Sequence, residues 1–152
     1  MEKSKILVVK GEDMGYQELR VWQKGVDLAT LIFEITSEFP NSEKYGIADQ
    51  MKRSAVSIPS NIAEGKGRNS KKEFIQFLSV ARGSLNELET QCEIAKRAKL
   101  IDEDQIAKVH EIIKTIRYGM NALMRRIREP KQTKKEFNKK PNNNIAQTEL
   151  DK

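Results

Sequence analysis

The sequence is short of the residues that most often carry chemistry or covalent reinforcement. Its 152 positions hold one cysteine, Cys92, and one histidine, His110. A lone cysteine excludes an intramolecular disulfide and any cysteine-built zinc or iron–sulfur cage. A lone histidine leaves a bundle-type di-iron centre without its Glu-x-x-His pairs, and position 107, three before His110, is alanine. Eight glycines and four prolines are too few to punctuate a many-stranded β fold. The longest uninterrupted apolar run is Ile6-Leu7-Val8-Val9, far short of a signal-peptide core or a membrane span. These shortages lead us to expect a soluble, cytoplasmic protein of bacterial type, with no membrane contact, cofactor, metal or small-molecule substrate.

What the chain has in quantity is charge and helical periodicity. Lys and Arg number 28 against 22 Asp and Glu, a net charge of +6, and charged residues (33%) nearly equal apolar ones (38%). That proportion suits amphipathic helices with one solvated face, in a chain long enough for one well-cored domain.

Residues 1–16 carry three lysines and three acids and show no helical period, so they read as a mobile N-terminal arm. From Leu19 the pattern changes. Leu19, Trp22, Val26, Ala29 and Phe33 recur every three or four positions, flanked by Leu28, Ile32, Ile35 and Phe39, which predicts a helix over about 17–38. Phe39-Pro40 stops it. A second helix over 43–64, capped by Asn41 or Ser42, buries Ile47, Met51, Ala55, Ile58 and Ile62, and ends at Gly65-Lys66-Gly67. Ser70-Lys71-Lys72-Glu73 is a capping box for a third helix over 71–99, whose stripe is Phe74, Leu78, Ala81, Leu85, Leu88, Cys92 and Ala95. Asp102, with Gln105, caps a fourth over 103–128, where Ile106, Val109, Ile113, Ile116, Met120, Leu123 and Ile127 form the cleanest stripe. From Pro130 the period vanishes, and residues 130–152 read as a disordered basic tail. Short connections make the expected fold an all-α, antiparallel up-down-up-down four-helix bundle over residues 17–129.

Nothing in this inventory builds an enzyme. Cys92 falls on a core stripe, where a thiol is a small apolar residue rather than a nucleophile. Gly65-x-Gly67 follows a helix instead of a strand, so it is a cap and no phosphate loop. Glu87 and Glu89 belong to a helix face rich in cations.

The expected topology gives the charge a direction. Helix 1's start, the helix 2–3 turn and helix 4's end share one pole, which collects Arg20, Lys24, Lys66, Arg68, Lys71, Lys72, Arg125, Arg126 and Arg128 against Glu18, Asp27, Glu64, Glu73 and Glu129. The tail leaves the same pole with six lysines and three acids. The opposite pole is acidic, through Glu34, Glu38, Glu43, Asp49, Glu89, Glu93, Asp102, Glu103, Asp104 and Glu111. A basic end with a lysine-rich tail suits a phosphate backbone, with Lys66, Arg68, Lys71, Lys72, Arg125, Arg126 and Arg128 as the expected RNA or DNA contacts. Solvated loops and last helical turns are also lysine- and arginine-rich, and a protein–protein scaffold without nucleic acid is the alternative.

Pro59 sits inside the second helix, which removes a backbone hydrogen bond and predicts a kink. Ser54, Ser57, Asn61 and Glu64 form a polar stripe beside it. Either these groups repair the bonding around the proline, or Ser57, Asn61 and Glu64 face another subunit. Gly83-Ser84 and Gly119 mark places where helices approach closely.

Several strings carry a resemblance: Val21-Trp22-Gln23-Lys24, Phe39-Pro40 with Tyr45-Gly46, Ser57-Ile58-Pro59-Ser60-Asn61-Ile62-Ala63-Glu64-Gly65, and Ala81-Arg82-Gly83-Ser84-Leu85 with Glu87-Leu88-Glu89-Thr90-Gln91. Over about residues 17–128 the chain resembles the four-helix bundle family first found in intervening sequences of 23S rRNA genes, the so-called S23 ribosomal proteins. It is similar in fold to accessory variability proteins of diversity-generating retroelements, which form five-fold rings and bind a reverse transcriptase and nucleic acid. The resemblance implies a homopentamer, and as partners RNA or DNA and a reverse transcriptase or other nucleic-acid enzyme. Relatives often have glycine near Lys99, and a larger aliphatic in place of Cys92.

Overall fold

The structure, a computed structural model, describes residues 14–130. Residues 1–13 of the expected arm (residues 1–16) and all but the first residue of the expected tail lie outside the described residues. Four helices account for most of what is described: α1 Arg20–Ser37, α2 Ile47–Lys66, α3 Lys71–Arg97 and α4 Glu103–Arg128. Single 3-10 turns at Tyr16–Glu18 and Asn41–Glu43 precede α1 and α2. The described residues contain no strand, and the fold is all-α.

Each helix packs on two others: α2 on α1 and α3, and α4 on α1 and α3. Residues that meet across these contacts run in opposite numerical order. Lys96 pairs with Glu103 and Arg117 with Glu89 between α3 and α4. Gly65 near the end of α2 lies against Phe74 and Phe77 near the start of α3, and Gly119 of α4 against Val21 of α1.

The stripes of α2 and α3 are buried except at their first residues: Met51, Ala55, Ile58, Ile62, Leu78, Ala81, Leu85, Leu88, Cys92 and Ala95 are all inaccessible to water, while Ile47 and Phe74 are only partly buried. On α4 the stripe holds from Ile106 to Met120, after which Met124 takes the inner position in place of Leu123. On α1 the structure corrects the sequence reading. The buried residues are Val21, Gly25, Leu28, Ile32, Ile35 and Thr36, while Val26 and Phe33 of the expected stripe are exposed and Trp22 is half-buried. This helix is apolar on two adjacent faces, so a period of three to four residues locates the helix without choosing which face turns inward.

The helix ends show why the boundaries fall where they do. Asp102 and Gln105 form a complete capping box: the Gln105 amide donates to Asp102 Oδ1 at 2.8 Å, and the Asp102 amide to Gln105 Oε1 at 3.1 Å. At α3 only half of the expected box is made. The Glu73 amide donates to Ser70 Oγ at 3.1 Å, but the Ser70 hydroxyl donates to the Glu73 carboxylate rather than leaving it for the Ser70 amide. Neither Asn41 nor Ser42 caps α2; they sit in or beside the preceding 3-10 turn, and α2 starts after Gly46 without a side-chain cap. The C-terminus of α3 is a Schellman turn, with the Leu100 amide on Ala95 O and the Lys99 amide on Lys96 O, both 2.9 Å. Lys99 occupies its left-handed position at φ 62°, among the described residues the one non-glycine there.

α2 continues as a single helix through Pro59. The buried proline ring lies against α1 at Gly25, where an added Cβ would stand 3.2 Å from Pro59 Cβ. Gly119 allows a similar approach, since a Cβ there would come within 2.6 Å of Val21 Cγ1. Gly83, expected at a close helix contact, instead opens on empty space.

Candidate nucleic-acid interface

Two open grooves meet at the C-terminal end of α4. One is lined by Lys71, Lys72, Ile75 and Gln76 of α3 together with Ile127 and Arg128. The other is lined by Arg82 of α3 with Asn121, Met124, Arg125 and Arg128. Both close against Glu129 and Pro130. The start of α3 and the end of α4 therefore bring Lys71, Lys72, Arg125 and Arg128 to one end. Arg82 joins them, a residue not singled out from the sequence because it lies three turns into α3, away from every chain end and turn.

The other expected contacts fall elsewhere. Arg126 follows Gly119 by seven positions and so shares its face of α4, the face turned toward α1. Arg68 is held within the chain, paired with Glu64 and lying 4.9 Å above the Phe77 ring. Lys66 lies in the last turn of α2 and also has a partner. By contrast Lys71, Lys72, Arg82, Arg125, Arg126 and Arg128 make no ion pair among the described residues. Glu129 stands on the rim without neutralising any of them. Ile75 and Ile127 give the first groove an apolar floor beneath its cations.

The acidic side of the molecule is more fully paired. Glu93 accepts from Arg97 at 2.8 Å, and that hydrogen bond, foremost, holds its carboxyl below the usual range. Glu89 and Asn86 accept from Arg117, at 2.5 and 3.0 Å, tying α3 to α4.

The polar stripe of α2 is used inside the chain. Ser57 Oγ lies 2.8 Å from Ser84 Oγ of α3. Asn61 Nδ2 donates to the Ser57 carbonyl at 2.8 Å and to its hydroxyl oxygen at 3.0 Å. Within the chain Ser57 and Asn61 are thus partners of each other and of α3, and Glu64 is the partner of Arg68.

Among the described residues no group of three or more His, Cys, Asp or Glu side chains is placed to hold a metal ion. Burial, assisted by the nearby Glu89 carboxylate, pushes the Cys92 thiol up to about 12, which keeps it protonated and unreactive. No described helix is long and apolar enough to cross a membrane.

A crystal structure of a protein of unknown function from the S23 ribosomal protein family of Bacteroides thetaiotaomicron VPI-5482 is similar, at 25% sequence identity and a TM-score of 0.65. The match covers 69% of this chain and 95% of that one. No curated protein matches. Residues 17–122, from the turn before α1 to the last two turns of α4, match the 23S rRNA-intervening sequence protein family, and the chain belongs to that family.

Proposed function

We propose that this protein is a non-enzymatic, oligomeric helical bundle that binds nucleic acid, RNA foremost, through the basic end, alone or as the accessory of a nucleic-acid enzyme such as a reverse transcriptase. One observation carries the reading: five cations from two helices, Lys71, Lys72, Arg82, Arg125 and Arg128, converge on adjoining grooves with no carboxylate among the described residues paired to them. Uncompensated like charges repel, and a polyanion relieves that repulsion while releasing its own counterions. Such binding is insensitive to sequence and weakens steeply with salt. The test is binding to labelled RNA and duplex DNA across a salt series. Affinity that falls linearly on a log–log plot supports the reading, and absent binding at low salt removes it.

Oligomerisation is a separate proposal. Val80 and Ile94 are exposed apolar residues on one face of α3, with Gly83, Glu87 and Thr90 between them, and this face is open to a second copy. The resemblance to ring-forming proteins points to a pentamer. Light scattering at micromolar concentration checks this, a monomer mass being the contrary result.

A further inference from the structure

A groove of about 460 Å³ runs between α1 and α2, lined by none of the cations just described. Its lining includes Tyr16, Trp22, Val26, Phe33, Val56 and Pro59. These are the apolar α1 residues that the core leaves outside, with their counterparts on α2. Val26, Phe33 and Val56 are 37, 50 and 44% exposed. An apolar trough of this kind is stabilised by an apolar occupant that displaces its water.

We infer that the groove is the docking site of the chain's own residues Ile6–Val9. Three observations favour this occupant. First, the chain enters at the groove itself: Tyr16 is part of the lining, its ring set edge-on to Trp22 at 5.3 Å, and Gly15 before it is extended, at φ −61° and ψ 162°. Second, Ile6-Leu7-Val8-Val9 is the longest apolar run in the sequence, while the apolar residues after Pro130 are scattered singly or in the pair Ile145-Ala146. Pro130, the last described residue, lines the basic grooves and not this one. Third, the lengths agree. Tyr16 follows Val9 by seven positions, an extended reach of roughly 23 Å. Trp22 to Phe33 is eleven helical positions, about 16 Å. Ile6–Val9 can therefore lie over Phe33 and Val56 with the intervening Lys10–Met14 spanning the Trp22 end.

Trp22 is the sole tryptophan, so it reports on the groove in the full chain. Replacing Ile6, Leu7, Val8 and Val9 together by serine leaves the described helices untouched. The expected result is a red shift of Trp22 emission and a rise in acrylamide quenching, with unchanged helical circular dichroism. Equal quenching of the two proteins overturns the inference, as does protection that falls on dilution together with the particle mass, which assigns the groove to a second copy. A double variant, Lys10→Cys with Thr30→Cys, gives the direct check, since the native Cys92 is fully buried. A short bismaleimide should link the two sites within one chain. Linkage that appears only between chains, or none, refutes docking by the chain's own segment.

Discussion

Pro59 and Gly25 are matched across the α1–α2 interface: the proline ring occupies the space that a side chain at position 25 would need, with Cβ, Cδ and N of Pro59 at 3.2 to 3.4 Å from the missing Cβ. A proline inside a helix surrenders a backbone hydrogen bond, and its rigid, buried ring cannot step aside. Gly25→Ala should lower stability by about 1 kcal/mol, overpacking outweighing the gain in helix propensity. Gly65→Ala is the harsher change, at about 2 kcal/mol, because its Cβ would meet Phe77 Cβ at 2.7 Å and Phe74 at 2.9 Å. Gly83→Ala, with nothing nearby, should raise stability by about 0.5 to 1 kcal/mol. Urea unfolding of the three variants checks the order.

Lys99→Gly should also stabilise the fold. The Schellman turn holds Lys99 at φ 62°, where a Cβ costs about 1 kcal/mol relative to glycine. A thermal midpoint below that of the parent protein would contradict this account.

The Ser57–Ser84 contact predicts coupling between α2 and α3. Each serine to alanine change should cost about 1 kcal/mol, because it strips a partner from a half-buried group. The double variant should cost clearly less than the sum, since the second change removes a hydroxyl that has already lost this contact. Strict additivity in a double-mutant cycle would show the contact to be energetically idle.

Stability should decline with alkali through Cys92. The unfolded thiol ionises near its ordinary value of 9.0, whereas the folded one is held up to about 12, so the unfolded state loses its proton first. Stability from this group is complete below pH 9 and is lost as pH rises toward 12, by about 1.4 kcal/mol at pH 10. Comparing the pH dependence of unfolding in the parent and Cys92→Ala isolates this part; parallel curves between pH 8 and 10 would exclude it.

At the basic end, reversing Arg125 and Arg128 to Glu should reduce RNA affinity far more than reversing Arg126 alone. The first two share grooves with Lys71, Lys72 and Arg82, while Arg126 lies on the α1 flank. Every phosphate that a variant no longer neutralises should shrink the salt slope by about one. Equal reductions for the two variants would move the binding surface away from the grooves.

Residues 17–128 were legible as four helices because spacing and stop signals agree there, although α1 and α2 begin at Arg20 and Ile47 rather than at 17 and 43 and the cap expected at Asn41 or Ser42 is not made. Asp102 with Gln105 and Pro40 mark boundaries through strictly local chemistry. What stayed hidden depends on distant neighbours. Trp22, Val26 and Phe33 have the same periodicity as Leu28, Ile32 and Ile35, and only the positions of α2 and α4 decide between the faces. The fate of Gly83 was equally out of reach, since glycine at a crossing and glycine facing solvent look identical along a chain. The basic cluster was partly foreseen, because turns and chain ends are visible in sequence, but Arg82 enters from the middle of a helix. Lys99 stood out only through the resemblance to relatives with glycine nearby.

The α2–α3 hairpin brings together partners that are close along the chain, joined by only the four residues Gly67–Ser70. Closing so short a loop costs little chain entropy, and Gly65 against Phe74 and Phe77 rewards closure at once. Folding is expected to begin with this pair, and φ-values higher at its contacts than at those of α1 would show it.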